Sequence, residues 1–377
     1  MDLKDLARAN RNQILRLVLK RGGISRSQIS QVTGLTRASV TTITEKLIGR
    51  EILHVREIVR NGKRGRPTEV LALRSDRSMV VVAEYTEEAA KAHLVDPAGR
   101  IRKTVSRALS AGSTTEEYLS KQLEMVPTLG DGIWDRVQAI TVVAPGIVDT
   151  ARGEFFAITQ LGPNTTQMVE PFRRFGKTVV LQNDSRLRAL AENWYGTAQD
   201  IDDFLYFNVG RGVGGAIVLG GVLVEGPSHG AGEFGHVVVD PDGPPCACGA
   251  RGCLEAIASA PAVLRSLAGR GCRNLADAWA LKEKGDRQAA AAFEGAARVL
   301  ARSVVNAAIA IGPTTVVVGG PAVDDTVGGI VEMVRGELAG LRSFIGGLDV
   351  RRSAIPEERS HVLGALAYAL QELDIEA

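Results

Sequence analysis

Apolar and polar positions along this chain repeat with two periods, and the order of those periods defines its elements. Within residues 10–20, Ile14, Leu15, Val18 and Leu19 recur at helical spacing, and Gly22-Gly23 ends the run. A shorter helix over 25–32 is closed by Gly34. Thr36 then stands as the N-cap of a third helix that reaches about Arg50 and buries Val40, Ile43 and Leu47. Helix, glycine-containing turn and helix make a helix-turn-helix. Two strands, 52–59 and 68–73, follow around the hairpin signal Asn61-Gly62, which makes residues 1–78 a winged helix-turn-helix with Lys63, Arg64 and Arg66 at the wing tip.

From Met79 the pattern changes to strands alternating with helices. Short apolar or β-branched runs at 80–83, 92–95, 139–144, 178–181, 204–209, 216–219 and 315–318 are separated by helical stretches such as 116–126, 185–195 and the Ala-rich 288–311. That alternation predicts an α/β body of two lobes over 79–377. Trp134, Trp194 and Trp279 read as core or lobe-surface residues. A chain of 377 residues suits two or three domains. No apolar run approaches the roughly eighteen residues that cross a bilayer, and residues 1–19 carry no signal-peptide core, so the expectation is a cytoplasmic protein without membrane contact.

Charge divides along the same boundary. Residues 1–78 hold 17 Lys/Arg against 7 Asp/Glu, and the remaining 299 hold 28 against 36. A basic head on an acidic body fits a nucleic-acid-binding module. The third helix would enter the major groove with Arg37, Ser39, Thr41 and Thr42, and the wing would reach phosphates or an adjacent minor groove. The plainer alternative is a three-helix protein-interaction module; basic residues on both reading helix and wing favour double-stranded DNA.

The densest chemistry is the order H-x9-C-x-C-x4-C, formed by His236, Cys246, Cys248 and Cys253. One imidazole and three thiolates suit a closed, tetrahedral, structural zinc site, one Zn²⁺ per chain. Prolines and glycines between them let the loop fold back. A coincidental cluster or a disulfide pair in a secreted loop is the alternative, and nothing in the chain looks secreted. Glu233 and Glu255 bracket the loop. With zinc holding one nitrogen of His236, the other nitrogen and these carboxylates offer acceptors to a polyhydroxylated ligand, unless the glutamates only orient the metal ligands. Asn183-Asp184 follows a strand, where α/β folds build ligand sites, although Asp184 would serve equally as a helix N-cap. The turn from Asn208 to Gly215, with glycines at 210, 212, 214 and 215, suits either a phosphate cradle or a tight hairpin. Residues 316–321 form a third strand-to-glycine junction.

Together these residues resemble the ROK family of repressors and sugar kinases. The resemblance runs from the winged helix through Ala144-Pro-Gly-Ile-Val-Asp149, residues 192–196, the glycine turn at 210–215, Glu233-Phe-Gly-His236 and the cysteine block ending at Glu255. It implies an actin-like/ribonuclease H-like ATPase-type body with a structural zinc loop, lobe one being about 79–185 plus 361–377 and lobe two about 186–360. It further implies that Asn183, Asp184, Glu233, His236 and Glu255 bind sugar hydroxyls, that Asp184 is the base of the kinases, and that His236 and the three cysteines hold zinc.

Two departures bear on activity. Kinases of this kind open the body with an Asp-x-Gly-Gly-Thr loop, whereas this chain has Glu84-Tyr85-Thr86-Glu87-Glu88. Acidic side chains without glycine disfavour ATP phosphates there. Many relatives also place a tryptophan-containing sugar loop near residues 161–166, where this chain has none; Asn164 is the residue there that could touch ligand. The reading is therefore a sugar-responsive DNA-binding regulator, a repressor working as a homodimer or a dimer of dimers on an operator. A sugar or sugar phosphate bound between the lobes would act through a linker near 74–78, with no catalytic residue expected. The alternatives are an ATP-dependent sugar kinase with a regulatory head, using Asp184, and a ligand-independent DNA-binding protein whose body only oligomerises.

Overall fold

In a computed structural model, residues 3–59, 67–86, 89–110, 113–156, 165–339 and 347–373 are described, with side chains from Leu6 onward. Lys63, Arg64, Arg66, the turn Asn61-Gly62, Glu87, Glu88 and residues 161–164, including Asn164, lie outside them. Among the described residues the chain divides into two compact units: Ser185–His361 belongs to one, and the residues up to Asp184 and from Val362 to the other.

The first unit opens with helix α1 (Leu3–Arg21), seven residues longer at its start than the apolar spacing indicated. Helix α2 (Arg26–Thr33) is fixed at its start by a reciprocal box, the Ser25 hydroxyl accepting from the Gln28 N–H and the Gln28 side chain accepting from the Ser25 N–H. It stops at Gly34, whose left-handed φ of 72° releases an N–H to the Ser30 carbonyl. Thr36 caps helix α3 (Arg37–Gly49) as expected, accepting from the Ser39 N–H. The buried face differs in one position, since Thr44 is fully buried and Ile43 only half-buried. A buried threonine is tolerated because its hydroxyl donates back to the Val40 carbonyl at 2.8 Å.

Strands β2 (Leu53–Val59) and β3 (Thr68–Leu73) pair antiparallel, and a two-residue strand β1 (Ile24–Ser25), too short to show a period, completes the order β1-β3-β2. Ile14, Leu15, Val18, Ile29, Val40, Leu47, Leu53 and Leu71 close a core beneath them. The expected linker is a turn tied to this head. Arg74 donates its N–H to the Ile52 carbonyl and pairs with Glu51 at 3.2 Å, and the buried Ser78 hydroxyl donates to the Glu51 carbonyl.

Strands β4 (Met79–Tyr85), β5 (Ala89–Val95), β6 (Ile101–Ala108), β7 (Val137–Ala144) and, later, β11 (Thr178–Asn183) form a sheet in the order β11-β7-β4-β5-β6. The small hairpin strands β8 (Ile147–Asp149), β9 (Glu154–Phe156) and β10 (Thr165–Gln167) precede β11. Between β6 and β7 lies helix α4 (Thr115–Leu129), and β11 runs directly into α5 (Asp184–Tyr195). The second unit has β12 (Phe204–Val209), β13 (Val213–Leu219), β14 (Val222–Leu223), β15 (Thr315–Gly319) and β16 (Asp349–Arg352), ordered β14-β13-β12-β15-β16. Both sheets share one plan, an antiparallel meander of three strands with two more added parallel to its first. The repeat is invisible in residue identities because each sheet needs only apolar alternation, not particular side chains.

The Ala-rich helix Arg287–Ile311 buries Phe293, Ala297, Leu300 and Val304 in the core built on β12, β13 and β15. Small alanines let a 25-residue helix approach the sheet closely. Of the three tryptophans, Trp194 is core, while Trp134 and Trp279 are half-buried. No helix among the described residues is long and apolar enough to cross a membrane.

Candidate functional site

The residues following β14 turn through a short 3-10 helix, Phe234–His236, which presents the imidazole. Phe234 anchors it, stacking on Phe207 of β12 with ring centroids 4.6 Å apart. The chain then folds back on itself. Val239 and Cys246 donate their N–H groups to the carbonyls of Gly252 and Ala250, and Leu254 returns one to Val237. Gly252 cannot be replaced without moving this loop, because a β-carbon there would lie 1.5 Å from the Asp240 carbonyl oxygen, at a φ of 67°.

This fold brings the four predicted metal ligands together, their donor atoms all within 4.8 Å of one another. Cys246 Sγ lies 3.7 Å from His236 Nδ1, and Cys248 Sγ lies 3.7 Å from Cys253 Sγ. A tetrahedral Zn²⁺ with about 2.3 Å bonds to sulfur needs sulfurs about 3.8 Å apart, so the donors fit that ion, whereas a disulfide needs about 2.0 Å. All four cysteines are free thiols. Burial pushes the Cys253 thiol up to about 12 and raises Cys246, while N–H donation from Ala250 lowers Cys248. A divalent cation would supply the charge that lets all three ionise. Use of Nδ1 leaves Nε2 of His236 as the nitrogen facing away from the cluster.

Glu255 sits two residues past the last cysteine and accepts from the Val213 N–H at 3.0 Å. It braces the glycine turn, which joins β12 and β13 as an antiparallel hairpin with Val209 opposite Val213. Gly212 leaves room for the Glu255 carboxylate, where a β-carbon would come within 2.4 Å of Oε2, and the Gly210 N–H is spent on the Gly212 carbonyl. Gly215 and Gly235 likewise permit close approach, to the Phe234 ring and the Val213 carbonyl. The turn therefore holds the stretch 233–255 in place. Glu233, His236 and Glu255 all lie in the second unit.

Asn183 and Asp184 lie in the first unit, at the β11–α5 junction. Asn183 is buried and donates to the Gly146 carbonyl at 2.7 Å, tying β11 to the Ala144-Pro-Gly-Ile-Val-Asp149 motif. Asp184 is the first residue of α5 rather than a cap preceding it. Glu192, from the stretch 192–196, is a buried staple: it accepts from Thr197 and from the Ser353 hydroxyl, at 2.5 Å.

At the departure from the kinase pattern, β4 and β5 pair antiparallel, and beside their ends the Thr86 N–H donates to the Ala89 carbonyl while the Ala89 N–H donates to the Thr86 hydroxyl. Glu84 is buried there and bonded to His93 Nε2 at 3.1 Å, with His93 Nδ1 against the Thr104 hydroxyl. Sequence reading placed Glu84 in the loop; it is instead the penultimate residue of β4, paired with Lys91 across the ladder.

In the head, Arg37 and Thr42 are exposed on α3, and Ser39 and Thr41 are half-buried, Ser39 also bonding the Thr36 cap. Lys46 is also exposed on this helix.

With this geometry in place, the comparisons with known proteins agree. The ROK family model matches residues 86–371, and the chain belongs to the ROK family. It is 31% identical over 297 residues to a glucokinase of Thermotoga maritima, covering 72% of this chain and 91% of that one. It is 26% identical to the xylose repressor of Caldicellulosiruptor bescii across 98% of this chain and 97% of the repressor. Among solved structures, a ROK family transcriptional regulator, a homolog of the E. coli MLC protein, superposes with a TM-score of 0.76 over 98% of both chains at 23% identity, which establishes a shared fold.

Proposed function

We propose that this chain is a sugar-responsive transcriptional repressor. Residues 1–78 act as a winged helix-turn-helix that reads a double-stranded operator, and residues 79–377 bind a sugar or sugar phosphate that changes operator affinity. The observation that carries this reading is the capped helix pair α2–α3 with its three-stranded sheet, joined to a ROK body in one chain whose full length aligns with a repressor. Arg37, Ser39, Thr41 and Thr42 would face base edges, and Lys63, Arg64 and Arg66 would contact phosphates.

In the body, Asn183, Asp184, Glu233, His236 and Glu255 would bind the sugar hydroxyls, with His236 offering Nε2. Zn²⁺ held by His236, Cys246, Cys248 and Cys253 would be structural, since four protein donors leave no open position for a reacting water. ATP is not required in this reading, because Glu84-Tyr85-Thr86-Glu87-Glu88 has no glycine where the kinases carry their Asp-x-Gly-Gly-Thr loop. Two heads on a homodimer or a dimer of dimers would span two half-sites.

The glucokinase relative supports a second reading, an ATP-dependent sugar kinase carrying a regulatory head, with Asp184 as its base. Thermal-shift screening against sugars and sugar phosphates, followed by operator binding with each hit, tests both. The repressor reading expects a stabilising sugar that changes DNA affinity at least tenfold without ATP; a sugar consumed with ATP, and without effect on DNA, supports the kinase.

A further inference from the structure

We infer that Arg26 is a positioning residue for the recognition helix and not one of the DNA contacts, an assignment that rests on the proposed DNA-binding role of the head. Arg26 is the first residue of α2, where a cation meets the positive end of the helix dipole and gains nothing locally. It bridges three elements instead. Its Nε donates to the Thr44 hydroxyl of α3 at 2.8 Å, and its terminal nitrogen pairs with Glu69 of β3 at 2.5 Å. Thr44 is fully buried and already donates to the Val40 carbonyl, so the Arg26 N–H occupies the acceptor side of a hydroxyl that has no water to turn to. The planar fork of guanidinium makes both bonds at once, which an ammonium on a single stem does less well.

The consequence is geometric. Arg37 and Thr42 occupy the same helix as Thr44, and Glu69 belongs to the strand leading out of the wing. A single side chain thus ties the base-reading helix to strand β3. It also removes one cation from the phosphate-binding charge that a residue count assigns to the head.

The test uses the full-length protein and a duplex enriched from a random library by the wild-type chain. Arg26→Ala should weaken binding to the selected duplex about tenfold, a loss comparable to one misaligned base contact. Affinity for random duplex, and the slope of log affinity against log salt on it, should stay at the wild-type values. Thr44→Val, which removes the acceptor and keeps the shape, should lower the selected-to-random ratio in the same direction, and the double variant should add little. Arg26→Lys should not restore the full ratio. Equal loss on both duplexes with the salt slope reduced by about one would make Arg26 a phosphate contact and overturn the assignment. An unchanged ratio in both Arg26→Ala and Thr44→Val would overturn it as well. Should Arg26→Ala melt before binding can be read, Thr44→Val and Glu69→Gln decide alone. If the wild-type chain enriches no sequence at all, the DNA-binding reading itself fails.

Discussion

Gly252 shows how narrowly single positions are constrained around the cysteine block. A methyl group there meets the Asp240 carbonyl oxygen and must also adopt a left-handed backbone, so Gly252→Ala should destabilise the loop by about 2 kcal/mol or more. Thermal unfolding and metal content, measured together, should both fall; an unchanged melting temperature would mean the loop is looser than its contacts imply. The four donors make a sharper prediction. Freshly purified protein should carry one zinc per chain, and Cys248→Ser, which changes an exposed ligand and no core packing, should release it and weaken sugar binding. Metal analysis that finds no zinc in protein never exposed to chelator contradicts the assignment. The four donors were visible in the sequence through spacing alone, because ligand order survives without knowledge of the fold. The role of Glu84 was not. Its burial depends on His93, nine residues away across the β4–β5 ladder, and no local pattern announces a cross-strand pair.

Elements with strong punctuation were legible almost to the residue. Gly34 ends α2 and Thr36 opens α3 as expected, and the runs 204–209 and 68–73 coincide with β12 and β3, because caps and apolar alternation act locally. The misses are elements whose existence is tertiary. Strand β1 has two residues and persists only through pairing with Leu71 and Val70, and β6 is exposed along nearly its whole length, leaving no apolar signal. The capping box at α2 gives a measurable consequence at this scale. Ser25→Ala removes the acceptor for the Gln28 N–H and should cost about 1 kcal/mol, read as faster amide exchange within α2 and weaker binding to a selected duplex. Exchange in α2 no faster than in the wild-type protein would show that tertiary packing, not the cap, holds that helix.

For the molecule as a whole, the decisive question is whether the body has kept ligand binding and given up phosphoryl transfer. Asp184 is the residue on which the two readings divide: a hydroxyl acceptor in a repressor, a general base in a kinase. It is the last residue of the first unit and the first of α5, whose remaining residues belong to the second. A sugar that binds only the native protein, supplied at a hundred times its Kd, should stabilise it by about 2.7 kcal/mol. Its effect on DNA then depends on differential affinity between the DNA-competent and DNA-incompetent states, about 1.4 kcal/mol for each tenfold change. Asp184→Asn replaces part of the carboxylate's acceptor capacity with a donor, so it should reduce both the thermal shift and the sugar's effect on DNA binding, while sugar-free DNA affinity stays within about twofold. The repressor reading expects no phosphosugar from wild-type protein incubated with ATP, Mg²⁺ and the stabilising sugar. Phosphosugar formed by the wild type and lost in Asp184→Asn would identify Asp184 as a working base and restore the kinase.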